Sequence, residues 1–280
     1  LPPTGVDGLI YHLQGPKMYL NAEKIFPIAE FTPGGFPFLI EMLFTIGMAF
    51  GSDALAQLIH LSYGVLLIAA AFLGSTRFLK EEGNWYVAAL LLGMPILPIW
   101  AGLPYIDLAW ALYEFLALVA LINAVEEKKV GWLAVSGILM GFGMGSKYLA
   151  LGGGAVLGFC GLWWMGRKHP KAALRFVLIF GGTAFLTAAP WYLKNLLWYQ
   201  NPTYPFFESL WSSQSAVGIG SGGNLPLKEL MLMPVNLVIH YQRYACVYGT
   251  IELLNPFLLF SLGVIFVNRP KWISRLGAFA

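Results

Sequence analysis

Charged residues are scarce in this chain. Of its 280 residues only 11% are Asp, Glu, Lys or Arg, whereas an average soluble domain has about 25%. Apolar residues make up 58% of the chain and the mean hydropathy is +0.68. A water-soluble fold of this size needs far more polar surface. The composition therefore argues against a soluble single-core domain and predicts a polytopic membrane protein.

The chain also has little cysteine and little net charge. Cys160 lies in an apolar run and Cys246 in a polar connection, so neither a disulfide framework nor a metal motif is indicated. The formal charge is only +3, with the cations scattered between apolar runs, which argues against a nucleic-acid partner. Residues 1–8 lack the basic stretch and apolar run of a signal peptide. Since the last residues have no closing feature either, we expect a fragment of a longer chain.

What the sequence does contain is a series of long apolar runs. A transmembrane helix needs about 20 apolar residues. Six runs qualify or come close, and a seventh follows near the end. They are residues 54–73, 85–100, 106–125, 130–144, 148–165, 172–192 and 256–267. The predicted fold is therefore all-α, a bundle of membrane helices.

One further apolar run, residues 36–50, has only 15 residues and contains Glu41. This suits an interfacial helix better than a span. With that choice, eleven of the seventeen cations collect in short loops on one side, which the positive-inside rule identifies as cytoplasmic. The opposite choice would leave only four cations inside. The interfacial interpretation therefore fixes the topology.

The predicted extracytoplasmic side then contains residues 1–53 as a first loop with interfacial helices. The bundle occupies residues 54–192, and a long second loop covers residues 193–255. Residues 256–280 form the last span and the inner end. Within the bundle, Gly137, Gly141 and Gly145 recur every four residues, a pattern that predicts close helix packing.

Four ionisable residues stand at the predicted outer boundary. Asp7 and Asp107 each precede a helical pattern, where a carboxylate serves as a cap or as a catalytic group. Lys147 interrupts apolar sequence, and Lys194 follows Trp191 and Tyr192. Each lysine fits either an interfacial anchor or a phosphate contact. Carboxylates beside ammonium groups at headgroup level predict a site for a lipid-linked phosphate and a hydroxyl or amine acceptor.

Four segments carry a family resemblance. They are residues 7–17 (DGLIYHLQGPK), 105–107 (YID), 141–148 (GFGMGSKY) and 189–195 (APWYLKN). In this order they resemble bacterial polyprenyl-phosphate-dependent glycosyltransferases of the protein O-mannosyltransferase-like group, in the glycosyltransferase C superfamily. The likeness covers most of the chain up to about Tyr204. Relative to that family the chain would lack the first transmembrane helix and a C-terminal part.

The resemblance implies a bundle of the glycosyltransferase C type with a catalytic Asp in the first outer loop, matched by Asp7. It matches a second acidic residue to Asp107 and an interfacial helix to residues 36–50. Many members have Asp-Glu where this chain has Asp7 and Gly8. The family's Pro-Pro-Leu opening of the interfacial helix is changed here as well.

Together these observations predict an inverting, multi-pass cell-membrane glycosyltransferase that acts at the extracytoplasmic face. Asp7 is the expected general base and Asp107 an orienting or acceptor-binding group. The expected substrate contacts are Tyr11, His12, Lys17, Lys147, Tyr148, Lys194 and Arg243. Residues 212–224 are rich in Ser and Gly, and we expect them to close over the site and bring His240 or Arg243 nearer the phosphate.

The expected partners are a polyprenyl-phosphate sugar donor, a glycan, lipid or protein acceptor, and the bilayer, with no nucleic acid. No cofactor signature is present, and a divalent metal has no support in the residues. Two rival functions stay open. A transporter or permease would place polar groups near the midplane in paired halves, and a membrane glycan polymerase or ligase would use similar residues.

Overall fold

In the computed structural model, residues 2–28, 32–76, 79, 81–94, 96–166, 170–207, 211 and 228 are described. Over these residues the chain is helical with no strand, which confirms the all-α prediction. They fall into two compact units, one of residues 2–70, 101–207 and 211, the other of residues 71–100 and 228. The predicted span 256–267, Arg243, His240 and most of the loop 208–255 lie outside the described residues.

The helices follow one another in a simple order. A π-helical turn, Gly8–His12, leads into α1 (Gln14–Ala22). Then come α2 (Leu39–Ala49), α3 (Asp53–Ser75), α4 (Glu81–Leu92), α5 (Ile96–Ala101), α6 (Asp107–Glu126), α7 (Val130–Ser146) and α8 (Ala150–Gly166). The last described helix comprises α9 (Pro170–Phe176), a π turn (Val177–Gly181) and α10 (Gly182–Tyr199).

Three helices among the described residues are long and apolar enough to cross a membrane. They are Asp53–Ser75, Asp107–Glu126 and Pro170–Tyr199. The predicted spans 54–73, 106–125 and 172–192 fall on them. The predicted spans 130–144 and 148–165 are also helices, but α7 and α8 have 17 residues each, at the lower limit of spanning length. The structure therefore indicates a helical membrane protein.

Helix α2 supports the interfacial interpretation of residues 36–50. It has 11 residues, so it is about 16 Å long, far short of a hydrocarbon core of about 30 Å. Its buried face, which includes Ile40, Phe44 and Met48, packs with Leu13 and with Ala109 of α6 in one core cluster. The first-loop helices are thereby fixed to the start of α6.

Two predicted boundaries are wrong. The run 85–100 is not one helix, since α4 ends at Leu92 and α5 begins at Ile96. Pro95 explains the break, because proline has no N–H to donate and disfavours helical geometry at the residue before it. The run 172–192 is too short, since its helix continues to Tyr199. It ends only before Asn201 and Pro202, so residues 193–199 are helix and not loop.

The unit of residues 71–100 contains the end of α3, α4 and most of α5. Ser75 donates a hydrogen bond to Asn84 Oδ1 at 2.9 Å. The rings of Phe72 and Trp85 lie 5.0 Å apart in an edge-to-face arrangement. These contacts tie the end of α3 to α4.

In the larger unit, α7 packs against both α6 and α10. A Cβ at Gly137, Gly141 or Gly145 would collide with atoms of the helix that ends in α10: Thr183 and Phe180 at the first, Ala184 and Thr187 at the second, Trp191 at the third. The packing role predicted for the glycine stripe is therefore confirmed. Ser136 of α7 donates to the Ala117 carbonyl of α6 at 2.7 Å. The α6–α7 hairpin positions the candidate site at its open end.

Candidate functional site

Asp107 and Lys147 form an ion pair at the open end of the α6–α7 hairpin. Lys147 Nζ lies 2.6 Å from Asp107 Oδ1, and the side chains are 30% and 18% exposed. Asp107 is in the first turn of α6, and Lys147 follows the last turn of α7. Each charge is therefore favoured by the dipole of its own helix. The ammonium also lies 5.4 Å from the centre of the Trp110 ring, a cation–π contact.

Two side chains of α3 hold the turn that leads into Asp107. Gln57 donates to the Gly102 carbonyl at 2.9 Å. His60 Nδ1 lies 2.7 Å from the Leu103 carbonyl oxygen, and the Leu108 N–H points to His60 Nε2 at 3.3 Å. His60 is fully buried. The start of α6 is thus fixed by side chains that are distant in the sequence.

The segment that contains Asp7 packs closely against the same turn at two glycines, Gly5 and Gly8. A Cβ at Gly8 would lie 2.8 Å from Pro104 Cγ, and one at Gly5 would lie 2.9 Å from the Tyr105 hydroxyl. Real Cβ atoms essentially never come this close, so a side chain at either position would push the turn or the Tyr105 ring away. A larger residue at position 8, such as glutamate, would therefore require Pro104 to shift.

The carboxylate of Asp7 is exposed and makes no capping hydrogen bond, although Asp7 precedes the π turn. The Tyr11 hydroxyl donates to Asp7 Oδ2 at 3.4 Å. Burial raises the pKa of Tyr11, and the negative charges of Asp7, Glu41 and Asp107 raise it further. Tyr11 therefore remains a protonated donor. Tyr11 thus contacts Asp7 directly and also feels the negative charge of Asp107.

His12 is buried and does not line an open mouth. Its Nδ1 lies 2.7 Å from Glu41 Oε1, with both side chains only 2% exposed. The pair joins the first-loop segment to α2. Among the described residues Glu41 Oε2 has no hydrogen-bond partner. The His12 ring is buried next to the Tyr11 ring, and the two ring centres are 4.0 Å apart.

Lys17 contacts a different carboxylate, that of Asp53. Its ammonium is 2.7 Å from Asp53 Oδ2, and both side chains are partly exposed. The pair borders an open cleft of about 740 Å³ that Asn21, Ser52 and Gln57 also line. Asp7, Asp107 and Lys147 are not among the residues lining this cleft.

Lys194 and Tyr148 anchor the turn Thr32–Gly35. Lys194 donates to the carbonyls of Gly34 and Phe36 at 3.1 and 3.0 Å. The Tyr148 hydroxyl lies 3.2 Å from the Gly35 carbonyl oxygen and 2.8 Å from that of Tyr204, and its single hydrogen is donated toward these two acceptors. Asn195 donates to the Tyr148 oxygen at 2.7 Å and also to the Gly35 carbonyl. Both predicted substrate contacts are thus occupied with backbone groups. Arg243, the remaining predicted contact, lies outside the described residues.

Over the described part of the chain, no three His, Cys, Asp or Glu side chains are grouped so that they could hold a metal ion. The candidate site consists of two contacting pairs on either side of the turn before α6, the Asp107 carboxylate with the Lys147 ammonium and the Asp7 carboxylate with the Tyr11 phenol. Such a set can accept a proton and bind an anion, with the hydroxyl of Tyr11 orienting Asp7.

Sequence reasoning misses three residues of this region. Glu41 stands out in the sequence only as a charge inside an apolar run, Trp110 carries no signal, and the signal for His60 is indirect. A signal for His60 is present, since Gln57 and His60 are spaced i, i+3 in an apolar helix and so share a face. Polar groups on one face of a membrane helix indicate a partner there.

Comparisons with protein-family models, curated proteins and solved structures find no match for this chain. The case for a function therefore comes from the residues of the chain and their geometry.

Proposed function

We propose that this chain is a membrane glycosyltransferase that moves a sugar from a polyprenyl phosphate to an acceptor at the extracytoplasmic face. The observation that supports this most is that the segment carrying Asp7 packs against Pro104 and Tyr105, in the turn that leads into the Asp107–Lys147 pair. Asp7, Asp107 and Lys147 come from separate parts of the sequence, and Asp7 is an exposed carboxylate with no capping role. The sequence resemblance to polyprenyl-phosphate-dependent glycosyltransferases supports the same proposal.

The chemistry needs few groups. Asp7 removes the proton from an acceptor hydroxyl, and the oxygen attacks the anomeric carbon. The bond from that carbon to the phosphate oxygen breaks, the configuration inverts, and polyprenyl phosphate leaves as a stable anion. Glycosidases need a general acid to expel a poor leaving group. A phosphate needs none, so one base and one cation suffice.

We assign the phosphate contact to Lys147 and not to Lys194. The Lys194 ammonium already serves two backbone carbonyls and lies 5.4 to 5.9 Å from the ring centres of Phe38, Trp191 and Trp198. Lys147 has one carboxylate partner and is 30% exposed. Asp107 then holds the ammonium in place and lies next to the incoming acceptor.

The proposal is tested with the full-length protein in vesicles and a donor labelled in both the lipid and the sugar. Transfer releases free polyprenyl phosphate and moves the sugar label to an acceptor. A transporter would move the intact donor across the bilayer without releasing polyprenyl phosphate, and that result would overturn the proposal. A glycan polymerase or ligase would break the same bond, but its labelled product would be a lengthened or joined glycan.

A matched control comes from the other end of the same hairpin. Lys129 is paired with Glu127 at 2.9 Å and is 72% exposed, so Lys129→Met removes an ion pair without touching the site. Release of polyprenyl phosphate should fall in Lys147→Met and stay unchanged in Lys129→Met. Equal losses in both variants would point to a general loss of integrity.

A further inference from the structure

His60 makes two hydrogen bonds of opposite kind to the turn that starts α6. Its Nδ1 lies 2.7 Å from the Leu103 carbonyl oxygen, and its Nε2 lies 3.3 Å from the Leu108 backbone nitrogen. The two partners are five residues apart and enclose the turn before Asp107. Gln57, one turn earlier in α3, holds the Gly102 carbonyl.

These partners leave one protonation state for the imidazole. A carbonyl oxygen only accepts, so Nδ1 must carry a hydrogen. A backbone N–H only donates, so Nε2 must carry a lone pair. These two hydrogen bonds therefore require a neutral imidazole in the Nδ1–H tautomer. A proton on Nε2 would face the Leu108 N–H and break that bond.

The bond to Leu108 matters because of its place in the helix. The first four N–H groups of a helix have no partner within it, and Leu108 is the second residue of α6. His60 is 0% exposed and Leu108 is 7% exposed, so bulk water does not reach this bond. The imidazole is thus the group that caps this N–H.

We infer that His60 is a positioning residue that sets the geometry of the Asp107–Lys147 pair. Asp107 directly precedes Leu108, and its carboxylate is held at the position from which it reaches Lys147. Without the clamp, the first turn of α6 loosens and the ion pair opens part of the time. The effect of this on sugar transfer rests on the proposed function, whereas the geometric effect does not.

Two variants distinguish the effect of the His60 hydrogen bonds from the effect of its packing. His60→Gln keeps one donor and one acceptor, whereas His60→Phe keeps a planar ring of similar size without either. In purified protein, an amine-reactive reagent and peptide mass spectrometry measure the labelling rate of Lys147. Lys129, which is paired at the other end of the hairpin, is the internal reference.

We expect Lys147 to react roughly fivefold faster in His60→Phe, the factor that corresponds to one lost hydrogen bond of about 1 kcal/mol. His60→Gln should stay close to wild type, and Lys129 should be unchanged throughout. A folded His60→Phe protein with the wild-type Lys147 rate would overturn the inference. So would a Gln variant as reactive as the Phe variant.

A second measurement needs no variant. Nitrogen-15 spectra of the His60 imidazole at neutral pH should give a protonated Nδ1 and an unprotonated Nε2. A doubly protonated ring or the opposite tautomer would contradict the clamp.

Activity then separates this inference from the proposed function. If wild-type protein transfers no sugar, the proposed function fails while the labelling and spectra still decide the clamp. If it does transfer sugar, His60→Phe should slow the single-turnover step and His60→Gln should restore it. Unchanged transfer despite faster Lys147 labelling would remove the positioning role.

Discussion

Lys147 Nζ lies 2.6 Å from Asp107 Oδ1, although the two residues are 40 positions apart in the sequence. The contact joins the first turn of α6 to the residue that follows α7. The sequence predicts each of the two residues separately as functional. A phosphate that binds Lys147 must therefore share the ammonium with a carboxylate. In the proposed function, the pair keeps the lysine in place before the donor arrives, which reduces the ordering needed on binding.

The first prediction concerns the ammonium itself. Lys147→Met removes one charge-assisted hydrogen bond to the phosphate, which is worth about 1.5 to 3 kcal/mol. Donor affinity should therefore fall roughly 10- to 100-fold, measured by titration of the full-length protein. Lys129→Met should bind the donor like wild type. Unchanged affinity in Lys147→Met would show that the phosphate binds elsewhere.

The second prediction concerns its partner. Asp107→Asn removes the negative charge beside the ammonium and nearly preserves shape. Donor affinity should equal or exceed that of wild type, because the phosphate no longer competes with a carboxylate. The same titration measures it. A loss as large as that of Lys147→Met would contradict this prediction, because it would show that holding the lysine in place outweighs the competition between carboxylate and phosphate.

The third prediction concerns topology. Ser52 is exposed in the connection between α2 and α3, and it is a better labelling position than Gly51, whose φ of +106° suits only glycine. In a background without native cysteines, Ser52→Cys should react with an impermeant thiol reagent on intact cells. Lys129→Cys, beyond the other end of α6, should react only after permeabilisation. The reverse pattern would invert the predicted orientation.

The fourth prediction concerns the glycine stripe. A Cβ at Gly141 would lie 2.6 Å from the Ala184 carbonyl oxygen, so Gly141→Ala must push α7 away from α10. We expect the free energy of unfolding to fall by about 1 to 3 kcal/mol. Apart from its own helix backbone and chain neighbours, a Cβ at Gly158 in α8 would meet no atom of the described residues within 4 Å, so Gly158→Ala should be neutral or stabilising by up to about 1 kcal/mol. Similar effects at both positions in thermal unfolding would contradict the packing role.

Much of the helical architecture could be predicted from the sequence, because apolar runs and a four-residue glycine spacing depend on local chemistry alone. The break between α4 and α5 also has a local signal, because the sequence has a proline at position 95 that outweighs the hydrophobicity of residues 85–100. The extension of the last helix to Tyr199 is harder to predict. Lys194 and Asn195 look like loop residues until their partners in the turn Thr32–Gly35 are known.

For the candidate site too, part could be predicted from the sequence and part could not. The sequence identifies Asp7, Asp107 and Lys147 as unusual groups at helix ends. In the structure Asp107 and Lys147 pair, and the segment carrying Asp7 packs against the turn before Asp107. The pairings could not be predicted, because they join residues 29 to 40 positions apart: His12 with Glu41, Lys17 with Asp53, and Asp107 with Lys147. Such contacts depend on how helices dock, which no local pattern encodes.

The most direct test of the central claim is the single-turnover transfer rate of Asp7→Asn in the full-length protein. Asp7 makes no capping bond, so Asn should leave stability and donor affinity nearly unchanged. Loss of a general base should slow transfer by roughly 10² to 10⁴. Transfer at a near wild-type rate would contradict the proposed mechanism and show that Asp7 is not the general base.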